Sequence, residues 1–337
     1  MLRYLKNKWY QSRYFESFIK GENILSYPPR EIFVEPTNHC NLKCVMCPQS
    51  RGIKRSKGYM DMELYRKIIS EAKDFNLRRL NLFFGGESLL HPGIAEMITI
   101  AKEAGIFVRL HTNGVLLNSQ FSRKILLSGL DMISFSFDGE TKKQYETMRK
   151  NTTYEQTLTA IKEFLRERRI LGKRNPVVQV QVIKDYDPAL KEPHVSAEFR
   201  RIFEGLEVDN FSAIWFLSFG EHLYNSVYKY PKGKYYQPCR QLWSRFAVSW
   251  DGAAAACCID LDGENIIGDV KRETLLSIWN GKEMARMRRL MAEKRFAELN
   301  PCRSCNLIWL DEDFSELKKK KIFLRGFLGT DEKYLKG

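Results

Sequence analysis

The sequence predicts an α/β fold, a parallel sheet curled toward a barrel with its helices outside, and three observations lead there. Short apolar strands alternate with amphipathic helices from Glu31 to Leu217, the order that builds a parallel sheet. Each chemically distinctive stretch falls just after the C-terminal end of a strand, where α/β barrels carry their sites. Period-two alternation places polar strand residues on one shared face: Arg109, His111 and Asn113 in one strand, Ser134, Ser136 and Asp138 in the next.

Residues 1–30 read as a basic helix with Leu2, Leu5, Trp9, Phe15, Phe18 and Ile19 on its apolar side, stopped by Gly21 and Pro28-Pro29. It is expected to pack across the outside of the following domain, with contact to a membrane surface as the alternative. Ile32 to Glu35 is a strand entering a cysteine loop. Met62 to Phe75 is a helix, and Leu80 to Phe84 a strand ending at Gly85-Gly86-Glu87. The helix Ile94 to Ala104 precedes the strand Phe107 to Thr112, which ends at Asn113-Gly114. After the helix Gln120 to Ser128, the strand Met132 to Phe137 ends at Asp138-Gly139. A helix from Thr157 to Arg169, a strand from Val177 to Ile183, a short helix from Phe199 to Phe203 and a strand from Phe211 to Leu217 complete the run. A closed barrel fills its interior with Val, Ile and Leu. Here Glu35 and Thr37, and Gln179 and Gln181, add to the two polar faces already named, so the lumen is expected to be wider and to hold a polar ligand. Solvent exposure accounts poorly for these faces, because a parallel sheet is normally covered on both sides.

The totals suit an ordinary globular protein, with 44% hydrophobic and 28% charged residues in a 337-residue chain. No apolar run reaches the length of a membrane span, and no secretory signal opens the chain, so the expected compartment is the cytoplasm. Eight cysteines are too sparse for a disulfide scaffold and are clustered, which points to metal. The net charge of +14 attracts anionic partners, yet no aromatic–basic module of a nucleic-acid reader is present. Lys318 to Lys321 near the end read as a solvated helix, with anionic lipid as the alternative.

The chain is organised around Cys40, Cys44 and Cys47, spaced CxxxCxxC. Cubane iron–sulfur clusters normally take four thiolates. Three local thiolates leave one metal position open, the mark of a catalytic site; a structural zinc knot is the competing reading of the triplet alone. This triplet after the first strand, followed by Gly85-Gly86-Glu87 after the second, resembles the radical S-adenosylmethionine (radical SAM) superfamily over roughly residues 31–220. The resemblance implies an open partial (β/α)6 barrel of TIM type. It also implies a [4Fe–4S] cluster on Cys40, Cys44 and Cys47 whose open iron chelates S-adenosylmethionine. Reduction then splits the sulfonium into methionine and a 5′-deoxyadenosyl radical that removes hydrogen from a C–H bond. The resemblance assigns Gly85, Gly86 and Glu87 to the methionine end, and Asn113, Ser136, Asp138 and Gln181 to the ribose and carboxylate. Met46 stands where an aromatic residue often meets adenine, and Ser88 where proline is frequent.

Cys239, Cys257, Cys258, Cys302 and Cys305 form a second group. A hairpin turns at Ser249-Trp250-Asp251-Gly252, Glu283 to Lys294 is a helix, and Cys302 to Cys305 is a CxxC. Four such thiolates saturate either zinc or a [4Fe–4S] cluster. Cys239, Gly252 and Cys257 resemble the opening of the SPASM domain, and the lack of later cysteines matches its shortened twitch form. That resemblance implies one auxiliary [4Fe–4S] cluster on Cys239, Cys257, Cys302 and Cys305, with Cys258 spare or replacing Cys257. The expected organisation is a helical segment over residues 1–30, the barrel over 31–225, the auxiliary domain over 226–312 and a basic tail over 313–337.

The expected reaction is a two-electron oxidation of a polar, anionic-compatible small molecule such as a sugar, aminocyclitol or nucleotide sugar, with the auxiliary cluster accepting an electron. Arg109 and His111 are candidates for substrate contact or proton removal, and Cys258 for hydrogen return in an epimerisation. A flavodoxin- or ferredoxin-type protein is the expected reductant. Modification of a ribosomally made peptide is one alternative; a non-catalytic electron carrier or RNA-binding regulator is another.

Overall fold

A computed structural model describes residues 2–190, 192–216 and 233–310, with side chains from residue 9 onward. Leu217, the proposed boundary at residue 225 and Lys318 to Lys321 lie outside the described residues. After α1 (Leu2–Lys20), six strands lie side by side in chain order, each pair parallel: β1 (Glu31–Val34), β2 (Arg79–Leu82), β3 (Phe107–Thr112), β4 (Met132–Ser136), β5 (Val177–Lys184) and β6 (Asn210–Trp215). Between them run α2 (Met62–Asp74), α3 (Ile94–Glu103), α4 (Ser119–Leu127), α5 (Lys142–Met148), α6 (Tyr154–Ile170) and α7 (Ala197–Arg201). Side-chain caps start these helices by satisfying N–H groups that lack an intrahelical partner. Asp61 caps α2 and Asn118 caps α4, while Thr153 with Gln156 forms a capping box on α6.

Alternation along the strands sorts the two sheet faces. In β3, Val108 and Leu110 are fully buried under the helices, while Phe107, Arg109 and His111 are half-buried on the other face. Contacts between neighbouring strands confirm that this second face is shared. Gln179 Nε2 donates to Ser134 Oγ at 3.3 Å, and Asn210 Nδ2 donates to Gln179 Oε1 at 3.0 Å. The polar lumen expected from the sequence is therefore present.

The C-terminal hairpin extends the same sheet. After the short β7 (Tyr235–Tyr236), β8 (Arg245–Val248) pairs in parallel with β1, and β9 (Ala253–Ala255) and β10 (Ile266–Asp269) follow antiparallel. The nine-strand order is β10-β9-β8-β1-β2-β3-β4-β5-β6. One hydrophobic core runs through strands, helices and α1, and takes in α8 (Leu275–Trp279) and α9 (Lys282–Ala292). Tyr14 and Phe18 on α1 are buried, Phe18 edge-on to Trp243 at 5.4 Å. Trp243 Nε1 donates to Glu22 O, and Trp279 Nε1 to Tyr27 O. The N-terminal segment thus rests on the C-terminal region, because Trp243 and Trp279 supply the apolar surface its aromatic side needs. A last strand, β11 (Trp309–Leu310), pairs with β7.

Candidate active site

Cys40, Cys44 and Cys47 lie on the loop that leaves β1 at the C-terminal end of the sheet. The loop is stitched to the segment after α5: Val45 N–H donates to Met148 O at 2.8 Å and Lys43 N–H to Lys150 O at 3.2 Å. The thiols form no disulfide. Desolvation pushes Cys40 up to about 12, with Glu87, Cys44 and Cys47 adding to it. Cys44 rises to about 11 by desolvation, which the nearby Arg149 opposes. Three neutral thiols crowded on one short loop are a donor set that gains from a bound cationic metal centre, because binding removes their protons and joins their charges.

Gly86 sits against that loop at φ 72°, where a side chain is disfavoured. An added Cβ would lie 2.5 Å from both His39 O and Thr37 O. Glu87 N–H donates to His39 O at 2.8 Å. The buried Glu87 carboxylate then accepts from Thr112 Oγ1 at 2.7 Å, Asn113 N–H at 2.8 Å and Leu89 N–H at 3.1 Å. Asn113 Nδ2 donates to Asn41 Oδ1 at 2.9 Å. Burial raises Glu87 above the usual carboxylate range, partly offset by the bonds from Asn113 and Thr112. The Gly-Gly-Glu turn, the end of β3 and the cysteine loop therefore hold one another. Beside Gly85, the Gln49 Nε2 donor is buried without a hydrogen-bond partner among the described residues. A tight glycine turn with an unsatisfied donor beside it fits a small polar ligand docking next to the triplet.

Two buried ion pairs brace this end of the sheet, and sequence reasoning named neither. Glu35, fully buried, takes Arg55 at 2.8 and 2.9 Å and also accepts from Gly85 N–H at 3.1 Å and Trp250 N–H at 3.2 Å. Asp138 pairs with buried Arg149 and accepts from Ile183 N–H at 3.3 Å. Partners 20 and 11 residues apart do not share a helix or strand, so only the fold reveals them.

The remaining predicted positions gather on the lumen side of these braces. Ser136 Oγ bonds His111 Nε2, and His111 stands edge-on to Phe83 at 5.2 Å. Burial, with Arg109 and Arg149 nearby, pushes His111 down to about 3, so it is neutral at physiological pH and a weak base. Gln181 Oε1 accepts from Gln179 Nε2 at 3.3 Å. Met46 is buried against Phe216, next to Cys44, Met148 and Ile183.

The second thiol group assembles behind the hairpin. Cys302 is pushed up by desolvation and further by Cys239, Cys257 and Cys305, and desolvation with Cys239 and Cys257 takes Cys305 to about 12. Cys258 is instead lowered, first by its hydrogen bond with Cys257 and then by Arg245, against desolvation, Cys239 and Glu31. Arg245 and Glu31 start β8 and β1, the far end of the sheet from Cys40. Both Cys257 and Cys258 reach Gln241 Oε1, at 3.7 and 3.4 Å. Among the described residues no three thiol, imidazole or carboxylate groups converge as tightly as a single bound ion requires, and no helix is long and apolar enough to cross a membrane.

A parallel sheet, a three-thiol loop after its first strand and a glycine turn locked against that loop are the arrangement expected of a radical SAM domain. Comparison with known families agrees. Residues 34–176 match the family model of the radical SAM superfamily, and residues 239–306 match that of SPASM, an iron–sulfur cluster-binding domain. The chain thus carries a radical SAM domain and, after it, a SPASM domain. Its cofactors are accordingly a SAM-binding [4Fe–4S] cluster, S-adenosylmethionine and an auxiliary iron–sulfur cluster. A tungsten-containing aldehyde ferredoxin oxidoreductase cofactor-modifying protein of Pyrococcus furiosus is 29% identical over 153 residues, 45% of this chain and 43% of that protein. A PqqA peptide cyclase of Gluconobacter oxydans is 27% identical over 118 residues, 35% and 33% of the two chains. The chain thus matches less than half the length of either relative. The crystal structure of BtrN in complex with AdoMet and 2-DOIA superposes with a TM-score of 0.57 at 16% identity, covering 84% of this chain and 95% of BtrN, a likeness of fold.

Proposed function

We propose that this enzyme oxidises a polar small molecule of sugar, aminocyclitol or nucleotide-sugar type by two electrons. The observation that carries the reading is the polar lumen face, from Arg109 and His111 on β3 to Gln179 and Gln181 on β5. Cys40, Cys44 and Cys47 would hold a [4Fe–4S] cluster, which when bound supplies the electron that splits S-adenosylmethionine and so provides a radical able to take hydrogen from carbon. The chain's own part is to place the two molecules. Gly85 and Gly86 bring backbone close to the methionine end, and Gln49 Nε2 supplies a donor there. Asn113, Ser136, Asp138 and Gln181 border the ribose and carboxylate side, Asp138 by anchoring Arg149. Met46 and Phe216 offer an apolar face for adenine.

Substrate lies deeper in the lumen, where neutral His111 can hydrogen-bond the reacting hydroxyl, and the proton lost as the C–O–H group becomes a carbonyl leaves to solvent. Cys239, Cys257, Cys302 and Cys305 would hold the auxiliary cluster, the acceptor of the second electron. The electron that starts each turnover comes from a flavodoxin- or ferredoxin-type protein drawn to the basic surface. Modification of a peptide is the second reading, favoured by the likeness to the PqqA peptide cyclase; an epimerisation would use Cys258 as the hydrogen donor. Anaerobically reconstituted protein given dithionite and S-adenosylmethionine should form 5′-deoxyadenosine, and a reconstituted protein that forms none refutes the reading. Solvent deuterium appearing at carbon would replace oxidation by epimerisation.

A further inference from the structure

We propose that the outer side of the cysteine loop, centred on Tyr59 and His39 and rimmed by Lys43, Lys57 and Lys150, is the docking surface for the electron donor, a small acidic flavoprotein of flavodoxin type. This inference rests on the reading that Cys40, Cys44 and Cys47 hold a cluster fed from outside. It adds where the donor binds and by what chemistry.

Charge singles out this face. From Pro36 to Met60 the chain carries Lys43, Arg51, Lys54, Arg55 and Lys57 and not one Asp or Glu. On the helices, by contrast, cations are answered by nearby acids: Lys67 pairs with Glu71 at 2.6 Å, Lys142 with Glu155 at 2.9 Å and Arg286 with Glu283 at 2.9 Å. Within the basic stretch, Arg55 is spoken for by Glu35 and Lys54 by Glu264 at 2.7 Å. Lys43 and Lys57 are exposed, and their ammonium groups meet no acid among the described residues. Lys43 N–H bonds Lys150 O at 3.2 Å, which brings in a third exposed lysine. The Lys150 ammonium bonds a neutral acceptor, Glu146 O, at 2.6 Å, so its charge stays unbalanced.

An aromatic spot sits beside these charges, and its backing is rigid. Residues 56–59 run alongside the start of the cysteine loop, with Tyr59 bridged to Thr37. Thr37 Oγ1 donates to Gly58 O at 2.6 Å, Gly58 N–H to Asn38 Oδ1 at 3.0 Å and Asn38 Nδ2 to Ser56 O at 2.8 Å. The Tyr59 ring stacks on His39 at 4.8 Å and 20°, and neighbours His91 at 6.0 Å. His91 is buried with both ring nitrogens used, one against Met60 O at 2.9 Å and the other accepting from Gly93 N–H at 3.1 Å. Tyr59 is nevertheless 45% exposed. Extended chain at the bridge turns Lys57 to the same side as Tyr59.

An apolar centre with a charged rim is the anatomy of a protein interface, and rim charges govern encounter and salt dependence. The patch is small, which fits electron-transfer complexes that bury less than about 1,200 Å². His39 adjoins Cys40, so the docked surface lies one residue from a predicted cluster ligand. The partner must offer acidic side chains to three lysines and an apolar redox edge to Tyr59, as an exposed flavin edge does. In the step served, an anionic flavin hydroquinone gives one electron to the cluster and becomes the neutral semiquinone. No proton moves, and no bond to this chain forms or breaks.

Calorimetric titration of the full-length reconstituted protein with a bacterial flavodoxin carrying FMN tests the surface without turnover. Binding should be measurable at low salt and weaken as salt rises. Lys43→Glu with Lys57→Glu should weaken it roughly tenfold or more, and Tyr59→Ala should weaken it without altering the salt dependence. Lys73→Glu with Lys124→Glu makes the same change of net charge in the last turns of α2 and α4, at the far end of the sheet, and should leave the affinity unchanged. Stopped-flow reduction by dithionite should be equal in both double variants, whereas reduction by flavodoxin hydroquinone should slow in the first alone. Circular dichroism and iron content report that each variant is intact. No binding to the wild type, equal loss in the two double variants, or no loss in Lys43→Glu with Lys57→Glu overturns the proposal. A ferredoxin that binds where flavodoxin does not would overturn the choice of a flavin carrier. A wild type that takes up no iron at the triplet would strike the reading of the cysteine loop, and the flavodoxin titration would still decide the surface.

Discussion

Replacing Glu35 by glutamine should loosen the whole cysteine end of the sheet. The carboxylate is fully buried and accepts from four donors, two on Arg55 and one each on Gly85 and Trp250. Glutamine keeps the shape, removes the charge and turns one oxygen into a donor facing other donors. Arg55 is then left largely buried without its partner, and breaking a buried pair from one side costs about 3–5 kcal/mol. Spread over the unfolding entropy of a chain this long, that loss lowers Tm by about 4 to 7 °C. Urea unfolding of the apoprotein under argon, with tryptophan fluorescence as the signal, measures the change. The double variant Glu35→Gln with Arg55→Met should be less damaged than the sum of the two single ones, because no lone cation remains. A loss below about 1 kcal/mol in the single variant, or strict additivity in the pair, would refute the claim that this carboxylate is a structural keystone.

Other consequences follow from the same geometry. Gly86→Ala forces a Cβ to 2.5 Å from two carbonyl oxygens at φ 72°; calorimetry should show S-adenosylmethionine binding weakened at least about tenfold, and unchanged affinity would contradict the cradle. Glu31 is raised by burial but lowered more by Arg245, Arg79 and Asn81, ending at about 2 against the usual 4.5. Its stabilisation, about 3 kcal/mol, is present above the ordinary carboxylate value and lost as pH falls through about 2. Urea melts from pH 5 to 2 should therefore show the gap between wild type and Glu31→Gln closing as pH falls, and a constant gap would disprove the linkage. Cys257→Ala should lose about four irons per chain while Cys258→Ala keeps them, since Cys257 is the one that interacts with Cys302 and Cys305; the reverse pattern would exchange their roles.

Much of the site was legible in the sequence because its signals are local. The cysteine spacing, the Gly-Gly-Glu turn and the alternation of Arg109 and His111 with Val108 and Leu110 need only near neighbours, and the structure places all of them at one end or one face of the sheet. The unread parts are long-range or weakly patterned. Helix α5 carries one buried residue, Tyr145, so it shows no apolar stripe; its signal was the Thr141–Gln144 capping box. Arg149 lies just past that helix and looks like any surface arginine until Asp138 is seen beside it. Sheet order is similarly silent: nothing in residues 245–248 says that they pair with β1, and that pairing brings Trp250 onto Glu35 and Arg245 to the lumen floor.

The central claim is that the triplet presents an iron without a protein ligand to S-adenosylmethionine. Electron paramagnetic resonance of the dithionite-reduced protein, recorded with and without S-adenosylmethionine, tests it most directly, with Cys239 and Cys302 replaced by alanine to silence the auxiliary signal. The account predicts a cubane spectrum that changes on adding the cofactor and disappears in Cys40→Ala. A spectrum indifferent to the cofactor, or a cluster that survives loss of Cys40, would contradict it.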